Sequence, residues 1–336
     1  MIPGPARATQ VARSWLGRKA RRAREGHGLI LMYHRIAPPS SVDPWNLIVE
    51  PDHFRDHLEV LRRLTDVVPL ESLPGTMRRR KEGQPVVAIT FDDGYQDNLE
   101  FALPLLENDE CPATVFLATG WIGRDVPFWW DRLAWILLAP DELPETLDLR
   151  IGETRVTWSN PESSTPREAA TEDREALHRR LWVALRLQPD PIQDATMEEL
   201  ARWAGLDAGP EEVGRPMSED EVQRMVESGT ARVGAHAHTH RPLAELSPAC
   251  QESEVQRSLD RCEQIVGYRP DTFAYPHGSF SDATIAAVMR SDLALACSSE
   301  KDLAWADSPP LALPRVAVMN SSAATFERWL RWYWLP

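Results

Sequence analysis

The run Val86–Phe91 (VVAITF) ends on two adjacent carboxylates, Asp92 and Asp93, followed by Gly94. An apolar run of this length reads as a buried strand. Asp92 and Asp93 then stand at its end as like charges side by side, and each resists desolvation. Something elsewhere in the chain must offset that cost.

Further strand-like runs follow Gly28, Ala113, Ala231, Thr272, Leu293 and Leu313, and the first ends near His34. Helical spacing fills 52–64, 96–108, 219–228, 248–265, 281–290 and the stretch from Ala323. Strands alternating with helices predict an α/β fold with a parallel sheet or barrel. We expect a distorted (β/α) TIM-like barrel over residues 27–322. Between about 121 and 215 the pattern changes. An aromatic helix begins near Pro127, a hairpin turns at Gly152 and Glu153, and 165–205 is charged, helical and broken by prolines. This stretch reads as a mainly helical insertion. Residues 1–26 read as a basic arm and 323–336 as a C-terminal amphipathic helix.

At 336 residues and 43% hydrophobic, the chain can build a sizeable core. Its net charge of −14 argues against a nucleic-acid partner. Residues 1–25 nevertheless hold seven Arg or Lys against Glu25. That arm fits either a solvated tail or a weak contact with an anionic membrane surface. Cys111, Cys250, Cys262 and Cys297 are scattered, with no C-x-x-C pair. The start of the chain lacks the apolar core of a signal peptide, and no run of eighteen apolar residues occurs. The expectation is a soluble cytoplasmic protein, peripheral to a membrane if the arm makes contact.

Two more polar clusters follow strand-like runs. In Gly234–His240 (GAHAHTH) three histidines alternate. His236 and His240 can converge on one point in an extended or a helical segment. Two imidazoles and a carboxylate form a common divalent-metal set, although a solvated loop would also tolerate them. In Phe273–Ser279 (FAYPHGS) Pro276 and Gly278 flank His277 in a tight turn. Loops after the strands of a parallel barrel gather at one face. Asp92, Asp93, His236, His240, Tyr275 and His277 can therefore meet.

These residues resemble a known family. Thr90–Gly94 (TFDDG) resembles the first motif of the polysaccharide deacetylases, the chitin-deacetylase-like family 4 carbohydrate esterases. His236–His240 resembles their second motif, Phe273–Gly278 their third, and Leu313–Val316 (LPRV) a later arginine-bearing strand. The resemblance implies that Asp93, His236 and His240 hold one divalent metal, most often zinc. It implies that Asp92 is the general base in hydrolysis of an N-acetyl group. It further implies an oxyanion held by a backbone N–H between Tyr275 and His277. The family's general acid is a late histidine, but none follows His277 here, which leaves His34 as candidate.

Three positions depart from the family pattern. Ala237 replaces the Ser or Thr that braces the histidine loop, a task open to His238 or Thr239. Ala274 stands where many relatives carry an Arg, a charge Arg315 can supply. His277 replaces a common aromatic. Tyr275, Pro276, His277 and Trp129 are the candidate substrate contacts. Phe128, Trp129, Trp130 and Trp135 fit either sugar stacking or a core. The aromatic stretch from Phe326 fits either packing on the barrel or a membrane interface. The expected activity is metal-dependent N-deacetylation of an N-acetylated sugar or glycoconjugate precursor. The alternatives are another C–N bond, such as a formamide, and a catalytically silent carbohydrate-binding protein.

Overall fold

The computed structural model describes residues 26–79, 85–159, 167–206 and 214–334. The basic arm expected over residues 1–26, and with it the question of a membrane contact, lies outside the described residues except for Gly26. The apolar runs form parallel strands β1 (His27–Tyr33), β2 (Val86–Phe91), β3 (Ala113–Leu117), β4 (Ala231–Ala235), β5 (Thr272–Ala274) and β6 (Leu295–Cys297). They lie side by side in chain order. Leu31 faces Ile89, Val115 faces Val233, and Phe273 lies between Ala235 and Ala296. A last strand, β7 (Val316–Ala317), pairs in parallel with β1, and Leu313 bridges Cys297 of β6. Residues 313–317 thus link β6 to β1 and curl the sheet into a distorted barrel.

The strands read as unbroken apolar runs because both faces are covered. Ile30, Ala88, Phe116, Ala274, Cys297 and Leu313 pack together in one buried cluster. Their neighbours Leu29, Leu31, Val87, Ile89, Val115 and Val233 belong to a second. At Gly234 an added Cβ would lie 2.4 Å from the Phe116 ring, so only glycine leaves room for that side chain.

Local chemistry sets the helix ends. Ser218 and Glu221 form a capping box at Glu219–Glu227. Pro248–Val266 starts at a Ser247 cap and stops at Gly267, whose φ of 78° is left-handed. The helix expected over 96–108 is less regular. Asn98–Ala102 is a π-helical stretch before Leu103–Asn108. Pro104 lacks the N–H that a regular turn would direct at Glu100.

Between β3 and β4 the chain forms helices Trp129–Leu138, Arg167–Leu185 and Asp190–Trp203, with a hairpin of Thr146–Ile151 and Thr154–Ser159. Trp121, Phe128, Trp129, Leu149, Leu181 and Leu200 belong to its own apolar core. The proline-broken helical stretch expected over 165–205 divides before Pro189, which caps its second helix. Ala323–Trp334 packs on Pro51–Leu64, with Phe326, Leu330 and Tyr333 buried and Trp332 58% exposed. No helix among the described residues is long and apolar enough to cross a membrane.

Candidate active site

A cavity of about 370 Å³ opens at the C-terminal ends of the strands, lined among others by His34, Asp92, Asp93, His236, His240 and Arg315. Asp92 and Asp93 follow β2, His236 follows β4, and Arg315 precedes β7. The three sequence clusters therefore converge at the strand ends.

Asp92 is 3% exposed, and Arg315 grips it with both arms of its guanidinium. Nη1 donates to Oδ1 at 2.6 Å and Nη2 to Oδ2 at 2.7 Å. Arg315 also donates to the Ser298 carbonyl and the Thr90 hydroxyl, so its plane is fixed. Burial pushes the Asp92 carboxyl up, but Arg315 and then His236 outweigh it and hold it below the usual range. The arginine charge missing at Ala274 comes from Arg315, two strands away.

Asp93 accepts the approach of two imidazoles. Its Oδ1 lies 3.1 Å from His240 Nε2 and 3.5 Å from His236 Nε2. Against burial, His240 leads the groups that hold Asp93 well below its ordinary range. His236 Nδ1 lies 2.7 Å from the Ala274 carbonyl, to which it donates, leaving the Nε2 lone pair facing the carboxylates. Burial pushes the His236 imidazole down to about 4, so it is neutral at pH 7. One ligand atom each from Asp93, His236 and His240 falls within 4.8 Å of the others. A carboxylate and two imidazoles oriented this way suit one divalent cation.

The backbone is strained here. Asp93, Ala237, His240 and His277 all adopt positive φ, at 75°, 59°, 59° and 56°. Such conformations persist where the surroundings over-determine them. The brace around the histidines is Glu254, only 2% exposed on the helix after them. It accepts the backbone N–H groups of His238 and Thr239, the Thr239 hydroxyl and Arg241 Nη2. Thr239 thus supplies the hydroxyl lost at Ala237, and His238 turns aside to Thr119. Glu254 escaped the sequence reading, although it falls on the buried stripe Gln251, Val255, Ser258 and Leu259. A carboxylate on such a stripe demands partners. Glu254→Ala should lower stability by about 2–3 kcal/mol and cation affinity roughly tenfold. Denaturant unfolding and a cation titration would check both; unchanged affinity would leave Glu254 a purely structural brace.

His34 directly follows β1 and lines the cavity. Asn98, from the π-helical stretch, donates to the His34 carbonyl. Asp97 accepts from Arg35 and from the Ile36 N–H. The irregular helix thereby fixes the segment that carries His34.

Among the candidate substrate contacts, Tyr275 and His277 line the cavity, but Pro276 and Trp129 do not. Pro276 is buried within the turn. Trp129 is 3% exposed and belongs to the core of the segment between β3 and β4. Trp130 lines the cavity instead, its ring centroid 4.6 Å from that of His240. Consecutive helical residues point about 100° apart, so an aromatic pair at a helix start divides between core and cavity. Trp130 Nε1 donates to the Tyr95 hydroxyl, which donates to Asp131. Burial pushes the Asp131 carboxyl up to about 7. Phe128 is fully buried, and Trp135 packs partly buried on the same core. The sequence reading also missed Trp45 and Trp182, which complete the cavity wall.

A parallel barrel with a candidate metal centre and an arginine-held carboxylate at its C-terminal rim is the class of protein these features define. The family model for polysaccharide deacetylases matches residues 79–175 and 195–295, more than half of the chain. The chain belongs to the polysaccharide deacetylase family. The match runs into the segment between β3 and β4 and is interrupted within it, at residues 176–194. YxkH of Bacillus subtilis (strain 168), provisionally named a polysaccharide deacetylase, is 34% identical over 97 residues. That alignment covers 28% of this chain and only 33% of YxkH. In structure, the chain resembles the deacetylase PplD of Streptococcus pyogenes, solved with acetate, at a TM-score of 0.59 and 18% identity. The superposition covers 93% of this chain and 100% of that one. IcaB of Ammonifex degensii superposes at 0.57 and 18% identity, over 91% of this chain and 97% of that one. At such identities the likeness establishes the barrel fold.

Proposed function

We propose that the protein is a metal-dependent N-deacetylase acting on an N-acetylated sugar or glycoconjugate precursor. The observation that carries this reading is the division of labour between two adjacent carboxylates. Asp92 is locked to Arg315, while Asp93 faces two imidazoles. When bound at Asp93, His236 and His240, a divalent cation such as zinc polarises the amide carbonyl and lowers the pKa of water.

The chain's own residues supply the rest. Arg315 keeps Asp92 ionised, and each Asp92 oxygen retains a lone pair with which to accept the proton of the attacking water. The turn after β5 offers a donor to the oxyanion. Tyr275 N–H is committed to the Cys297 carbonyl and Pro276 has none, which leaves the N–H of His277. His34, fixed through Asn98, protonates the leaving amine. The protein's relation to PplD, a deacetylase by name, supports this reading. The same centre suits a formamide or a non-sugar amide. The complete set of base, ligands and arginine disfavours a silent binder. We also propose a cytoplasmic location and hence a soluble or lipid-linked precursor as substrate, a reading supported by four free cysteines.

The test is acetate release from N-acetylated monosaccharides, nucleotide-linked sugars and short oligomers, with added zinc and with chelator. Release that stops on chelation and returns with zinc is expected. Zinc-loaded protein that frees no acetate from any of them would overturn the reading. His34→Ala should slow turnover about a hundredfold, within the range for a lost general acid, with cation affinity unchanged. Full turnover in that variant would reject the acid role.

A further inference from the structure

The walls of the cavity carry information that the reaction centre does not. Five rings form an unbroken arc around it. Trp130 lies against His240 at 4.6 Å, His240 against His277 at 4.6 Å, His277 against Trp182 at 5.4 Å, and Trp182 against Trp45 at 5.2 Å, all between centroids. Four parts of the chain supply the arc: the loop after β1, the segment between β3 and β4, the turn after β4 and the turn after β5. At Trp45 the barrel loop meets helix Arg167–Leu185, where Trp45 also touches His178 at 5.6 Å.

This junction is built rather than casual. The loop from Ala37 to Leu47 is pinched at its base where Arg35–Ile36 pairs with Ile48–Val49. Asp43 accepts the N–H groups of Leu47 and Ile48 at 2.8 and 3.0 Å, fixing the turn that carries Trp45. On the other side, Arg186 ends the helix that bears Trp182 and pairs with Glu245, beyond the histidine loop. Its guanidinium also lies 5.7 Å from the Trp182 ring.

An internal residue of a polysaccharide needs a groove open at both ends, because the chain must enter and leave past the reacting acetamide. Here Trp45 and Trp182 line the cavity and meet at 5.2 Å between centroids, so the loop after β1 touches the segment between β3 and β4 on that side. At about 370 Å³ the cavity is near the small limit for a ligand pocket, roughly 300 Å³. Among the described residues, Arg315 is the one Arg or Lys lining it, and Asp92 occupies both arms of that guanidinium. A phosphate therefore finds no free cation among the lining residues, whereas a neutral sugar ring finds aromatic faces.

We propose that this site, if it is the deacetylase inferred above, takes a single or chain-terminal N-acetylated sugar end-on, and that Trp45 and Trp182 exclude internal residues of a polymer. Trp45 and Trp182 are its specificity-determining residues. Trp45 is 39% exposed, so its replacement spares the fold.

The experiment uses reducing-end-labelled β-1,4-linked N-acetylglucosamine tetramers with the zinc-loaded full chain. The position of each freed amine is read by mass spectrometry. Saturation-transfer NMR on the zinc-free protein maps the bound acetyl groups independently of catalysis. Deacetylation confined to a terminal residue, with transfer strongest to that acetyl group, is the expected result. In Trp45→Ala, internal deacetylation should appear, and kcat/KM for the terminal residue should fall about tenfold. Internal deacetylation by the unmodified chain, or transfer spread evenly along the tetramer, would overturn the end-on inference and leave the deacetylase reading standing. Terminal transfer with no acetate release from the tetramer or from any sugar of the panel above would support the end-on site while removing the deacetylase. Neither release nor transfer with any of these sugars would remove both.

Discussion

Asp92→Asn is expected to lower acetate release about a thousandfold while leaving cation binding intact. The substitution conserves shape but removes the lone-pair basicity that receives a proton. Asp92 has no understudy at the site, because Asp93 is turned towards His236 and His240. Asp93→Asn should therefore fail differently, by losing the cation. The pair of variants separates roles that the sequence writes as two identical letters. Asp92→Asn also leaves Arg315 facing an amide instead of a carboxylate, so some stability is lost, and unfolding must be measured beside activity. The direct readouts are acetate release and cation stoichiometry on the folded variant. Activity above about a tenth of the parent would show that the attacking water gives its proton to another group.

The barrel was legible because its strands are covered on both faces. Val86–Phe91 has no polar alternation to confuse with a helix, and its end is marked by Asp92 and Asp93. The metal-type triad was legible for the same reason, since His236 and His240 stand just past another buried strand. Irregularity was not. The π-helical stretch Asn98–Ala102 arises from a local proline and a tertiary bond to the His34 carbonyl, and only the first is written locally.

Contacts between distant segments were the least visible. Trp129 and Trp130 look alike in sequence, and which of them reaches the cavity depends on the phase of helix Trp129–Leu138 against the barrel. Trp45 gains meaning only from Trp182, far along the chain. Glu254 illustrates a middle case. Its place on a buried stripe announces a hidden carboxylate, yet its partners come from the loop before the helix. Arg315 was the reverse case: a family pattern suggested a partner for Asp92, and the geometry supplied a bidentate one.

That pair yields the second large effect. Arg315→Met should cost about 3–5 kcal/mol at neutral pH, because it strands a buried carboxylate. In the parent, burial raises the Asp92 pKa, and Arg315 followed by His236 more than reverses the rise. The folded value is thus depressed. The associated stability is present above the ordinary carboxylate pKa of about 3.9 and is lost as pH falls. Without Arg315, desolvation has less opposition, and the carboxyl moves up. The stability gap between parent and variant should then be widest near pH 7 and narrow towards pH 4. Denaturant midpoints of the cation-free proteins at both pH values measure this directly. The acid limb of the activity profile should move to higher pH in the variant, since its base protonates sooner. Adding Asp92→Asn to Arg315→Met removes the stranded charge, so the double variant should recover much of the lost stability and none of the activity. Strictly additive losses in that cycle would show that Arg315 supports the fold through Ser298 and Thr90 rather than through Asp92.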